Sequence, residues 1–278
     1  MERPGYELIA LDMDGTLLNS GQEITLRAKR AVEKILERDR QVVFATGRCR
    51  SQVEEYLDCF PGMRYLICEN GASVCDLKKK TELFRRPIAP EHILRVLEAA
   101  ESGLDDGDII VALCMGNRPF MDQKDRARLE EFGLGSYRAV YEKTAVWVEG
   151  LRPFYLENPL EVEKVNLFFK KRDVCSRICS RLRFLPLSLA VSASGNLEIT
   201  GRGVNKGSGL ALLCGRLGLP AEKTAAVGDG RNDLELFRTA GLAIAMENAC
   251  PEVRREATAT VPDCDHDGAA VAMERYML

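Results

Sequence analysis

With 278 residues, 39 basic and 42 acidic side chains and a net charge of -3, the chain can bury a large core and carries no excess charge to grip nucleic acid. No apolar stretch approaches the roughly eighteen residues a bilayer span needs, and Met1-Glu2-Arg3-Pro4-Gly5 lacks the order of a secretory signal. A cytoplasmic protein with neither membrane nor nucleic acid as partner is therefore expected. The ten cysteines include no C-x-x-C pair, and Cys68, Cys114 and Cys214 sit in apolar runs, which argues against a zinc site and a disulfide framework. His92 and His266 lie far apart among charged residues and receive no role.

The predicted elements begin with an apolar strand over 6–11, ending in Asp12-Met13-Asp14-Gly15-Thr16. Two carboxylates one residue apart at a strand end can share a crevice, because the glycine turn breaks the strand's alternation. Ala28, Val32, Ile35 and Leu36 recur at helical spacing within 25–38, and the β-branched run 41–45 suits a buried parallel strand. A βαβ unit results. Thr46-Gly47-Arg48 closes that strand, a helix is expected over 51–58, and a third strand over 65–68 leads into Glu69-Asn70-Gly71-Ala72. Three strand ends facing one way set Asp12, Thr46 and Asn70 along the edge where open α/β sheets bind ligands.

Beyond residue 83 the pattern changes. Helices are expected over 90–101, 125–132 and 173–183, and strands over 109–115, 118–122, 144–149, 165–169 and 188–191. We read 83–193 as an inserted α/β domain, with 1–82 and 194–278 forming one core. In that core the strand-helix alternation resumes: strands over 196–200, 224–227 and 242–245, helices over 206–217 and 234–240, and Gly228-Asp229-Gly230-Arg231-Asn232-Asp233 at a strand end. The fold class is α/β, with a doubly wound, Rossmann-like parallel sheet.

Asp12, Asp14, Asp229 and Asp233 all stand just past strand ends. Hard cations such as Mg²⁺ take oxygen ligands, and two or three carboxylates suffice. Capping of a turn by Asp14, or of a helix by Asp229 or Asp233, is the alternative for any one of them. Phosphoryl transfer also requires donors and positive charge. Thr46 offers a hydroxyl, and Lys206 an ammonium at a helix start, where it opposes the macrodipole unless an anion such as phosphate compensates it.

In these motifs, with Leu197-Glu198-Ile199 and Gly203-Val204-Asn205-Lys206-Gly207, the sequence resembles the haloacid dehalogenase superfamily of phosphatases, most of all its Cof-type branch with a large α/β cap. The resemblance spans the core segments and, only loosely, the insertion. It implies a nucleophile at Asp12, an acid and base at Asp14, and an aspartyl-phosphate intermediate. It further implies Mg²⁺ on the Asp12 carboxylate, the Asp14 backbone carbonyl and Asp229, with Asp233 in support. Thr46, Gly47, Lys206 and Asn232 would bind phosphate. An acid at position 14 favours phosphate over carbon-halogen chemistry. The tail Asp265-His266-Asp267-Gly268 departs from the branch's usual form, so no role is carried over to it.

The insertion is expected to act as the cap and to set substrate choice, with Arg118, Phe120, Lys124 and Arg126 as candidate contacts, surface charge and a core aromatic being the favoured alternative for them. The implied substrate is a small phosphorylated metabolite, such as a sugar phosphate, and the protein a monomer or homodimer. The alternatives are a sugar-phosphate mutase or specialised sugar-phosphate phosphatase on the same scaffold, and a non-catalytic sensor of a phosphometabolite. A phospho-accepting receiver domain is disfavoured by chain length and by the order of its acidic residues.

Overall fold

The computed structural model describes residues 5–101, 108–191 and 196–278. The Met1-Glu2-Arg3-Pro4 end read above for a signal, and the expected boundary at 193/194, lie outside the described residues.

The opening apolar run forms β1 (Leu8–Leu11), buried throughout. The Thr25 hydroxyl caps α1 (Leu26–Glu37) by accepting the Ala28 N–H, and Ala28, Ala31, Val32 and Ile35 make its buried stripe. β2 (Gln41–Ala45) follows. A 3₁₀ turn over Arg50–Gln52 and the short α2 (Glu54–Leu57) replace the single helix expected over 51–58. After β3 (Tyr65–Cys68) come β4 (Ser73–Asp76) and β5 (Thr81–Arg85), a hairpin the sequence pattern does not announce.

Next come α3 (Pro90–Glu101), β6 (Ile109–Met115) and β7 (Arg118–Asp122). Gln123–Phe132 is a 3₁₀ helix rather than the α-helix expected over 125–132; Leu129 and Phe132 are its only buried apolar anchors, too sparse for an α-helical stripe. The chain continues through α4 (Arg138–Thr144), β8 (Val146–Val148), α5 (Leu151–Glu157), β9 (Val162–Phe169), α6 (Arg172–Leu182), β10 (Leu187–Val191) and β11 (Asn196–Gly201). It ends with α7 (Lys206–Leu217), β12 (Thr224–Gly228), α8 (Leu234–Thr239), β13 (Leu242–Met246), α9 (Pro251–Glu256), β14 (Ala259–Val261) and α10 (Gly268–Tyr276).

Two compact units result: Met1–Arg48, Val53–Arg85 and Asn205–Leu278 in one, Cys49–Gln52 and Arg86–Val204 in the other. The first is built on a sheet of order β14-β13-β12-β1-β2-β3-β4-β5, parallel from β14 to β3 and antiparallel beyond. Alternation along each strand feeds two cores. Ile9, Leu11, Val42 and Phe44 pack with α1 and α10; Leu8, Ala10, Val43 and Ala45 pack with Leu210 and Leu213 of α7 and with Leu236 and Phe237 of α8. Helices on both faces make this the expected doubly wound fold, each fully buried Leu, Ile or Phe contributing about 1.5–3 kcal/mol.

The second unit has a six-stranded sheet of order β10-β11-β9-β6-β7-β8, antiparallel except for β7 beside β8. Leu113, Val165, Leu167, Leu197 and Ile199 cover one face with α3 and α6. On the other face Ile110, Ala112, Met121 and Phe168 pack with Leu129, Phe132 and Tyr141. β11 corrects the sequence reading, since it pairs with β9 and β10 here rather than resuming the parallel sheet. Its alternation of Leu197 and Ile199 with Glu198 and Thr200 fits any half-buried sheet and does not name a partner. The unit therefore runs to Val204 instead of stopping at 193, and starts at Arg86 instead of 83. Segment Cys49–Gln52 joins it, with the Ser51 N–H donating to the Asn117 carbonyl at 3.1 Å. Among the described residues no helix is long and apolar enough to cross a membrane, and all ten cysteines are free thiols.

Candidate active site

β1 and β12 lie side by side and parallel, so the residues that follow them, Asp12 and Asp229, emerge together. The Asp12 N–H extends the pairing by donating to the Val227 carbonyl at 3.0 Å. The turn after Asp12 then passes close to Asp229. Gly15 has φ +76°, and a Cβ there would stand 2.6 Å from Asp229 Oδ2, so only glycine fits. The Thr16 hydroxyl donates to Asp229 Oδ1 at 2.9 Å.

Asp233 folds back over the turn it ends: its Oδ2 accepts the N–H groups of Asp229 at 3.0 Å and Gly230 at 2.9 Å. Its Oδ1 faces α7, whose first turn is fixed by a capping box in which Asn205 Oδ1 accepts the Ser208 N–H at 2.8 Å and Ser208 Oγ accepts the Asn205 N–H at 3.0 Å. The same turn bears directly on α8: a Cβ on Gly207 would lie 2.2 Å from the Glu235 carbonyl oxygen. Thus seated, Lys206 is fully buried, with Nζ 2.6 Å from Asp12 Oδ1 and 2.7 Å from Asp233 Oδ1. The anion expected to compensate a lysine at a helix start is provided by these two carboxylates.

Carboxylate oxygens of Asp12, Asp229 and Asp233 all lie within 4.8 Å of one another. Three carboxylates against one ammonium leave two unbalanced negative charges in a buried place. Burial, then the charges of Asp233 and Asp229, push the Asp12 carboxyl well above the usual range despite Lys206. Asp229 is pushed up to about 7 by burial and by Asp233, against the Thr16 hydrogen bond. Burial alone would lower the Lys206 ammonium, but Asp12 and Asp233 outweigh it and raise it. A hard divalent cation fits this oxygen donor set and would cancel the charge excess.

Asp14 stands apart from that cluster. Arg48 grips its carboxylate with both arms, Nε to Oδ2 at 2.9 Å and Nη2 to Oδ1 at 2.6 Å, and Nη2 also donates to Gln22 Oε1. The guanidinium carbon lies 5.5 Å from the Tyr56 ring centroid. Burial works against the Arg48 cation, but the bonds to Asp14 more than offset it and raise its pKa. Asp14 is thus absent from the carboxylate cluster expected to bind metal, which leaves its backbone carbonyl as the implied ligand.

The loop 46–48 follows β2 directly. Buried Thr46 accepts the Arg48 N–H on Oγ1 at 3.1 Å, leaving its own hydroxyl proton to donate, and its carbonyl accepts the Asn70 N–H at 3.0 Å. Gly47 lies between Thr46 and Arg48. Asn232 Nδ2 donates to Asn70 Oδ1 at 3.3 Å, joining the turns after β12 and β3. Sequence reading set Thr46 and Asn70 on one edge correctly but missed the Arg48 side chain, Gln22 and Thr16. Thr16 and Arg48 lie inside the first and second motifs and so carried a local signal, whereas Gln22 lies in neither.

The four candidate contacts in the second unit have other partners. Arg118 donates to the Thr144 carbonyl at 3.1 Å, Arg126 pairs with Glu142, and Lys124 lies 3.7 Å from Asp122. Phe120 stacks on Phe154 with ring centroids 5.5 Å apart.

A family model described as haloacid dehalogenase-like hydrolase matches residues 9–273. Phosphatase YwpJ of Bacillus subtilis is 26% identical over 289 residues, which cover 98% of this chain and 100% of that protein. From the same organism, 5-amino-6-(5-phospho-D-ribitylamino)uracil phosphatase YcsE is 26% identical over 275 residues, covering 98% and 96% of the two chains. The solved structure of a haloacid dehalogenase-like hydrolase from B. subtilis aligns with a TM-score of 0.85 at 25% identity, over 96% of this chain and 99% of that one. With a family match that takes in both units and every residue of the acidic cluster, the chain belongs to the haloacid dehalogenase-like hydrolases.

Proposed function

We propose that this phosphoester hydrolase cleaves the monoester of a small phosphorylated metabolite, a sugar phosphate or a related compound, through an aspartyl-phosphate on Asp12. The observation that carries the reading is the fully buried Lys206 ammonium shared by Asp12 and Asp233, with Asp229 in the same cluster. A phosphoryl group entering there meets a nucleophile and a fixed positive charge together.

In the first step an Asp12 carboxylate oxygen attacks phosphorus, the bond to the leaving oxygen breaks, and Asp14 protonates the departing alcohol. In the second, Asp14 takes a proton from water, which attacks the acyl phosphate, releases inorganic phosphate and restores Asp12. Thr46, the Gly47 backbone, Lys206 and Asn232 hold the phosphoryl oxygens meanwhile. Asp12, the Asp14 carbonyl and Asp229, with Asp233 in support, would hold Mg²⁺, which would supply positive charge against the negative charge that builds on those oxygens. Under this reading nucleic acid and membrane play no part, and the protein works in the cytoplasm as a monomer or homodimer.

The test is turnover of p-nitrophenyl phosphate with and without Mg²⁺. Wild type is expected to lose activity on chelation and regain it on adding Mg²⁺. Asp12→Asn should lose roughly 10³-fold or more in kcat with an unchanged circular dichroism spectrum. Near wild-type turnover in that variant removes Asp12 as nucleophile.

A further inference from the structure

The second unit carries a cavity of about 240 Å³ of its own. It forms where the stretch 86–92, which leads into α3, meets the stretches 186–187 and 201–202 at one end of the β10–β11 pair. Every residue lining it belongs to this unit, and none belongs to the acidic cluster. Its walls are fixed by backbone bonds: the Ile88 N–H donates to the Val162 carbonyl at 2.7 Å, and the Arg202 N–H to the Pro186 carbonyl at 3.1 Å. Pro87 and Pro186 each lock one further φ angle. Gly201, opposite Leu187, leaves open the space a side chain would take, since a Cβ there would stand 3.8 Å from the Pro87 carbonyl oxygen.

The polar side chains of the lining are Arg86, Arg202 and His92, and no carboxylate is among them. Exposed arginines elsewhere in this unit are paired, Arg126 with Glu142 and Arg152 with Glu101. Arg86 and Arg202 are exposed and have no such partner among the described residues. A guanidinium stays charged throughout the physiological range and presents a planar fork of N–H donors that fits carboxylate or phosphate oxygens. Two of them on one small space, with no acid between, are balanced by a dianion. The remaining walls, Pro87, Ile88, Pro186 and Leu187 among them, are apolar, so charge is the main element of recognition. The volume falls below the roughly 300–1,000 Å³ of clefts that take drug-sized ligands, which restricts the ligand to a compact one.

We propose that this cavity is a binding site for a small dianion, held between Arg86 and Arg202 and distinct from the acidic cluster. A phosphate group and a short dicarboxylic acid share that chemistry. Segment Arg86–Val204 begins at Arg86, and Arg202 lies just before its end, so the bound anion ties the two ends of the segment together. The site stands whether or not Asp12 is a nucleophile. The whole protein has two histidines, and His92 lines the cavity, so its imidazole resonance in ¹³C-histidine-labelled protein is the readout. Inorganic phosphate and succinate are titrated separately at fixed pH, with sodium chloride holding ionic strength constant. The His92 resonance should move and saturate. Saturation with phosphate alone identifies a phosphoryl ligand, with succinate alone an organic acid, and with both a site that reads charge only. In the Arg86→Gln/Arg202→Gln double variant the dissociation constant should rise about tenfold or more. Two outcomes overturn the proposal: no saturable movement of His92 with either anion, or the same saturation curve in the double variant as in wild type.

Discussion

Lys206 Nζ stands 2.7 Å from Asp233 Oδ1, and neither side chain is exposed to solvent. Because Asp233 Oδ2 also holds the N–H groups of Asp229 and Gly230, this pair ties the start of α7 to the turn that follows β12. One ammonium thus orders the acidic cluster and supplies its positive charge.

Replacing Lys206 by Met keeps volume and removes the charge, leaving Asp12 and Asp233 without their common partner beside Asp229. Breaking a buried pair from one side costs about 3–5 kcal/mol. We expect the unfolding free energy from urea titration to fall by that order, together with weaker phosphate binding and slower turnover of p-nitrophenyl phosphate. Stability and rate both equal to wild type would show that the ammonium has neither role.

Arg48 holds Asp14 through two parallel bonds that a lysine cannot reproduce. Arg48→Lys is therefore expected to behave like Arg48→Ala, with kcat for p-nitrophenyl phosphate down roughly tenfold or more and a smaller change in KM. Steady-state kinetics decide it, and full activity in Arg48→Lys would show that charge alone suffices.

Asp125 in the second unit gives a pH test independent of the active site. Burial lifts its carboxyl from 3.8 to about 6, against the pull of Lys124 and of Arg128, which bonds it at 3.0 Å. The folded state thus holds this proton more tightly than the unfolded state. The group favours folding below its unfolded pKa, and that contribution is lost as pH rises through about 6, a change of about 3 kcal/mol at most. Asp125→Asn should be more stable than wild type at about pH 8, and the gap should close towards about pH 4. Urea unfolding at the two pH values checks the sign.

Local patterning made most of this fold legible. The runs that became β2, β3, β6, β7, α3 and α7 declare themselves because periodicity, caps and turn residues agree there. β11 was assigned to the wrong sheet because alternation reports a half-buried strand and nothing about its neighbours. The acidic cluster is legible because Asp12 and Asp229 directly follow strands and both lie in glycine-bearing turns, the second of which ends in Asp233. The grip of Arg48 on Asp14 was not, since it joins residues 34 positions apart through side chains alone. Arg118 and Arg126 fit the favoured reading of charge near a turn as surface charge, since a carbonyl and a carboxylate within the same unit partner them.

Gly207 brings the first turn of α7 against the α8 backbone, leaving no room for even a methyl group beside the Glu235 carbonyl. Main chain meeting main chain is a stiff stop, because no rotamer can yield in between. The anchor point of Lys206 therefore inherits the rigidity of two helices rather than the looseness of a surface side chain. In a reaction governed by where charge sits, the smallest residue of the chain fixes the coordinates of its buried cation.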